Sequence, residues 1–150
     1  MNYRSIFAPD LFAGKVAIVT GGGSGIGRRT AHELGALGAR VALVGRKAEK
    51  LAAVKAEIKT AGVTATTHLC DIREEDTVRA TVQAVLAAHG RIDGLVNNAG
   101  GQFPAPLASI SAKGWDAVVR SNCPTRAPSS FAAPPTPFAP VAATSAAFAA

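Results

Sequence analysis

The stretch TGGGSGIG, residues 20–27, lies between a short apolar, β-branched run, KVAIVTG (15–21), and a segment from about Gly25 to Leu37 whose apolar residues recur at helical spacing. The first reads as a buried strand and the second as a helix closed by Gly38. A glycine-rich turn between such elements suits an anion. Gly21 lets the chain turn sharply, Gly25 lets backbone approach a pyrophosphate, and Gly27 lets helix pack close on strand. The N–H groups and positive dipole end of the helix then face the phosphates, with Ser24 and Ile26 completing the turn. No Lys-Ser or Lys-Thr follows the glycines, so the turn is not a P-loop.

The alternation continues outward. RVALVG (40–45) reads as a second buried strand, and 47–61, rich in Ala, Lys and Glu, as a helix stopped by Gly62. TATTHLCD (64–71) is a third strand, 74–89 a third helix with Gly90 behind it, and IDGLVNN (92–98) a fourth strand. SAKGWDAVVRSN (111–122) begins another helix with Trp115, Val118 and Val119 on one side. Strands alternating with helices predict an α/β fold: a doubly wound parallel sheet, Rossmann-like and incomplete, with about four strands and helices on both faces.

After Asn122 the composition changes. Residues 123–150 hold ten Ala and six Pro, and all fifteen Gly and ten acidic residues lie before Asn122. Such a segment buries too little surface to offset its ordering entropy, so disorder or poor packing is expected there. The predicted division is 1–122 as the nucleotide-binding part and 123–150 as tail. No run reaches the roughly 18–20 apolar residues of a membrane span, and the N-terminus lacks a secretory pattern. Cys70 and Cys123 share no metal-like or redox spacing; Cys70 reads as a small core residue. A reduced, cytoplasmic protein without a metal site is expected. The net charge of +6 is spread along the chain without interleaved aromatics, and no nucleic-acid motif accompanies it.

TGGGSGIG, then CDI (70–72), then NNAG (97–100) resemble, in order and spacing, the short-chain dehydrogenase/reductase family over roughly residues 11–122. The resemblance implies that Asp71, with Ile72, reaches the cofactor adenine, while Asn98, Ala99 and Gly100 wall the nicotinamide. It also implies a nicotinamide dinucleotide as cofactor. Asp71 by itself could equally be a helix N-cap or turn residue. Within the family, NNAGGQFPAPLASISAKGW (97–115) is similar to enoyl-CoA and dienoyl-CoA reductases and to bacterial dehydrogenases of acyclic terpenoid alcohols. Gln102-Phe103-Pro104 reads equally as an ordinary surface loop.

An acid closing the second strand would favour NAD(H); here Gly45 stands there, followed by Arg46 and Lys47. Guanidinium grips a 2′-phosphate well, so NADP(H) is favoured, with Arg28 as a candidate helper. Alternatively, Arg46 and Lys47 simply open the second helix into solvent. Of the family's catalytic residues only Asn122, the relay asparagine, has a match. Tyr3 is the sole tyrosine and no lysine follows Lys113. The expectation is an NADP(H)-dependent oxidoreductase that reduces an unsaturated acyl-CoA or interconverts alcohol and carbonyl. Turnover and homo-oligomer assembly belong to a full-length form. The abrupt switch at Cys123 suggests an out-of-frame tail on a longer reductase gene; a genuine tail on a shortened protein is the other possibility. A non-catalytic nucleotide-binding or interaction module is the second functional reading.

Overall fold

The computed structural model describes residues 6–102, 104, 106 and 109–122. Phe103 and the segment 123–150 lie outside the described residues. The elements alternate as β1 (Val16–Thr20), α1 (Gly25–Ala36), β2 (Arg40–Gly45), α2 (Ala48–Thr60), β3 (Ala65–Leu69), α3 (Glu75–His89), β4 (Gly94–Val96) and α4 (Ala112–Asn122). The strands form one parallel sheet ordered β3-β2-β1-β4. The chain therefore steps outward from β1 to β3 and then returns to the other side of β1. That reversal opens a crevice at the carboxyl ends of β1 and β4, where open α/β sheets bind ligands.

Both faces of the sheet are covered, which is why the strands read as continuous apolar runs. Side chains alternate across it. Val19, Val41 and Leu43 pack with Ala31 of α1 and with Leu51, Val54 and Ile58 of α2. Val16, Ile18, Ala42 and Val44 pack on the other side with Cys70 and with Val85 of α3. The α2 stripe sits at helical spacing, and each of its buried side chains stabilises the fold by about 1.5–3 kcal/mol. Gly38, Gly62 and Gly90, the anticipated helix stops, all take left-handed conformations. No helix among the described residues is long and apolar enough to cross a membrane.

β4 is shorter than its apolar run suggests, because only Gly94–Val96 find partners on β1. Asn98 N–H turns back to the Val96 carbonyl at 3.0 Å and ends the ladder. Before the strand, Asp93 N–H donates to Val16 O at 2.8 Å, and its carboxylate accepts Val16 N–H at 2.9 Å and Arg91 Nε–H at 2.8 Å. Lys15 Nζ lies 3.6 Å away. Arg91 foremost, then the Val16 N–H, hold the Asp93 carboxyl below its ordinary range. β4 is an edge strand of the sheet, and its Leu95 is 52% exposed. In α4, Gly114 is buried while Trp115 is exposed, so the apolar side expected of Trp115, Val118 and Val119 does not turn as a whole toward the sheet.

At the opposite edge Thr66 Oγ1 lies 2.9 Å from His68 Nε2 and 3.0 Å from His89 Nε2, tying β3 to the end of α3. The hydroxyl can donate to one ring nitrogen only, so at least one imidazole donates its Nε2–H to Thr66 Oγ1. Burial, then His89 and Lys55, depress the His68 pKa; burial and Arg40 depress that of His89.

Two outcomes are expected in urea denaturation. Asp93→Ala leaves the Val16 N–H without its side-chain acceptor and costs about 1–3 kcal/mol, and Asp93→Asn costs less because one acceptor oxygen remains. Separately, wild-type stability holds above about pH 6.5 and falls below it, because the unfolded chain takes up protons that the folded histidines resist. A His68→Gln/His89→Gln double variant flattens that dependence.

Candidate functional site

The glycine loop leaves β1 in a conformation that glycine alone adopts without strain. Gly21 and Gly25 have φ of 67° and 54°. A Cβ on Gly21 would stand 2.7 Å from Asn98 Nδ2, and one on Gly27 would stand 2.4 Å from both Asn98 Nδ2 and Gly21 O. A Cβ on Gly25 would meet nothing within 4 Å. Gly21 and Gly27 thus let loop, helix and the segment after β4 touch, whereas Gly25 faces open space. Ser24 is the N-cap of α1, yet its hydroxyl makes no capping bond, and no acid stands in the first turn. Ile26 is exposed. The first-turn N–H groups have neither a capping side chain nor a carboxylate to compete with an incoming anion, so the turn fits a phosphate.

The base of the crevice is held by Thr20, which the sequence reading passed over. Its buried hydroxyl donates to Val96 O at 3.1 Å and accepts from Asn98 N–H and Ala99 N–H, each at 3.0 Å. Asn98 Nδ2 donates to Thr20 O at 2.9 Å. The only signal in the sequence was a polar residue closing an apolar strand. Beyond it, Asn122 Nδ2 donates to Gly101 O at 2.7 Å and to Val118 O at 2.9 Å. A Cβ on Gly100 would stand 2.3 Å from Asn122 Oδ1, so the structure brings Asn122 onto the end of the NNAG segment.

At the far corner β2 and β3 end together, with Cys70 N–H on Gly45 O at 3.0 Å. Arg46 and Lys47 follow β2 and are exposed. Asp71 follows β3, and its carboxylate is taken by Arg73: Nε donates to Oδ1 at 2.8 Å, the backbone N–H to Oδ1 at 3.1 Å, and Nη2 bonds Oδ2. These bonds, Arg73's foremost, outweigh partial burial and hold Asp71 at about 2; the Arg46 charge acts in the same direction. Ile72 packs against the core under α3. Arg28 is not turned to this corner. Its Nε and Nη2 bond Glu57 of α2 at 2.8 and 2.9 Å, and His32 Nε2 lies 3.0 Å from the same carboxylate. The helper role considered for Arg28 gives way to an α1–α2 tie, visible only once the two helices are packed together. A groove of about 480 Å³ between Phe7, Leu11, Phe12 and the outer side of α1 has no residue of the glycine loop in its wall.

Thr20→Val, similar in shape but unable to hydrogen-bond, is expected to lower stability by roughly 1–3 kcal/mol by stranding the Asn98 and Ala99 N–H groups. Thr20→Ser keeps the hydroxyl and most of that stability. Urea midpoints of the two variants measure the difference.

The short chain dehydrogenase family matches residues 15–125. The chain is 38% identical over 119 residues to a peroxisomal 2,4-dienoyl-CoA reductase of Danio rerio, covering 79% of this chain and 40% of that protein. Among solved structures it is similar to a citronellol catabolism dehydrogenase of Pseudomonas aeruginosa PAO1, with 60% identity and a TM-score of 0.76 over 80% of this chain and 49% of that one. It is also similar to a metagenomic short-chain oxidoreductase in complex with NADP, with 50% identity and a TM-score of 0.67 over 73% of this chain and 50% of that one. The chain spans half or less of the length of these relatives. Its glycine loop, its Asp71 corner and its Asn98–Gly100 segment all fall within the matched region, and the chain belongs to the short chain dehydrogenase family.

Proposed function

We propose that residues 1–122 are the cofactor-binding part of an NADP(H)-dependent oxidoreductase. In its full-length form it reduces an unsaturated acyl-CoA or interconverts an alcohol and a carbonyl. The observation that carries this reading is the pairing of an uncapped, acid-free helix start at Gly25 with a carboxylate-free end of β2 at Gly45-Arg46-Lys47. The relatives named for 2,4-dienoyl-CoA reduction and citronellol catabolism support the two substrate classes, and the NADP-bound relative supports the cofactor. The enzyme is assigned to the cytoplasm, and homo-oligomer assembly to the full-length form.

The nicotinamide group, when bound, supplies hydride chemistry. The residues of this chain bind and orient. Backbone N–H groups of Ser24, Gly25, Ile26 and Gly27 take the pyrophosphate at the positive end of α1. Arg46 and Lys47 take the 2′-phosphate, and Asp71 and Ile72 border the adenine. Asn98, Ala99 and Gly100, fixed by Thr20, wall the nicotinamide side. Asn122 spends its N–H donors on the Gly101 and Val118 carbonyls, which leaves Oδ1 as acceptor for a relay water. A second reading, a non-catalytic nucleotide-binding or interaction module, draws on the exposed Leu95 at the β4 edge and the exposed Trp115.

Fluorescence titration with NADPH and NADH tests the assignment. NADPH binds more tightly, and Arg46→Ala weakens NADPH by about 10-fold or more, the scale of a charged hydrogen bond, while leaving NADH within about twofold. Tighter NADH binding overturns the cofactor assignment. NADPH binding without oxidoreduction in a full-length form favours the module.

A further inference from the structure

Asp71 cannot leave the corner by swinging with its loop. Its carbonyl accepts Glu74 N–H at 3.0 Å and the Thr77 hydroxyl at 2.8 Å, and the strand before it is tied to Gly45. The Cys70 N–H on Gly45 O brings the ends of β2 and β3 together, so Asp71 and Arg46, the residues that follow, share this corner. The Arg46 charge helps to lower the Asp71 carboxyl. An ionised carboxylate there opposes an incoming phosphate twice. It repels the anion directly, and it competes for the guanidinium meant to bind it. Arg73 counters both effects, with Nε and the backbone N–H on Oδ1 and Nη2 on Oδ2. A two-point pairing of this kind fixes the direction of the carboxylate as well as offsetting its charge.

We infer that Arg73 is a specificity-determining positioning residue: by engaging both oxygens of Asp71 it leaves Arg46 to the 2′-phosphate of the dinucleotide and so sets the preference for NADP(H). This rests on the cofactor reading above and assigns the preference to a residue that need not touch the phosphate. Lysine cannot reproduce the fork, so Arg73→Lys is intermediate between wild type and Arg73→Ala.

The test reads the ratio of NADPH to NADH affinity, together with the titration of the Asp71 carboxyl by carbon-13 NMR without nucleotide. Arg73→Ala lowers the ratio roughly fivefold, the scale of one partly exposed charge interaction. Adding Asp71→Asn restores the ratio, since any loss of adenine contact falls on both nucleotides alike. In Arg73→Ala the Asp71 carboxyl titrates lower than in Arg73→Ala/Arg46→Ala because Arg46 moves onto it, while the residue-73 backbone N–H acts alike in both. An unchanged ratio, or an equal loss for both nucleotides, overturns the inference and leaves Arg73 as a turn lock. If Arg46→Ala has no effect on NADPH in the wild-type background, the cofactor reading fails by itself. The carboxyl titration then decides separately: equal values in Arg73→Ala and Arg73→Ala/Arg46→Ala overturn the charge partition, and a lower value in Arg73→Ala supports it.

Discussion

The contact between the glycine loop, the start of α1 and the segment after β4 constrains everything above the sheet. Room there is so short that a Cβ on Gly27 would fall 2.4 Å from both Gly21 O and Asn98 Nδ2. Such closeness puts polar backbone groups where water cannot reach all of them, and Thr20 answers that cost. One hydroxyl donates once and accepts twice, which is its full capacity, and Asn98 returns a bond to the Thr20 carbonyl. The arrangement joins the ends of two strands 76 residues apart in sequence. It also fixes where α1 begins, and therefore where its N–H groups and dipole end point.

Charge organises the second half of the site as closely as sterics organise the first. Glu57 holds Arg28 and His32, and through Arg28 and His32 its carboxyl is kept below the ordinary range. Asp71 is held by Arg73. Arg46 and Lys47 make no salt bridge among the described residues and stand at the open corner. At this corner the acid that closes β3, Asp71, is paired with Arg73, and Arg46 and Lys47 beside it are exposed. Total charge carries no such information, since +6 spread over 150 residues suggests only a solvated surface.

This difference also explains what the sequence made legible. Strands buried on two faces must be continuously apolar, and helices that end before a tight connection favour glycine, so the sheet, its neighbours and the helix stops could be read from periodicity and composition. The glycine loop was legible because its steric demand allows one residue type. Thr20 was not, because a hydroxyl at a strand end has many uses and only the returning Asn98 shows which applies. Glu57 was hidden for a similar reason: its partners lie 25 and 29 residues away on another helix. Arg73 stands two residues from Asp71, but a charged residue in a turn carries no mark in sequence of the partner it takes. Trp115 misled because helical spacing shows which residues share a side and says nothing about whether a neighbour covers that side.

All of the proposed cofactor contacts come from the carboxyl ends of β1 to β4 and the loops that follow them, apart from Asn122 at the end of α4. Binding and chemistry are therefore divided along the chain as well as in space. On the proposed reading the described residues supply a floor for the dinucleotide, and among them Asn122 alone reaches toward the step that follows. A division of this kind lets the cofactor half stay constant while the substrate half varies. It accounts for a single stretch resembling, at 38% and 60% identity, proteins named for a dienoyl thioester and for a terpenoid alcohol. Resemblance across this stretch therefore reports on the dinucleotide far more than on the substrate. A substrate assignment has to be sought in the walls that complete the pocket beyond β4.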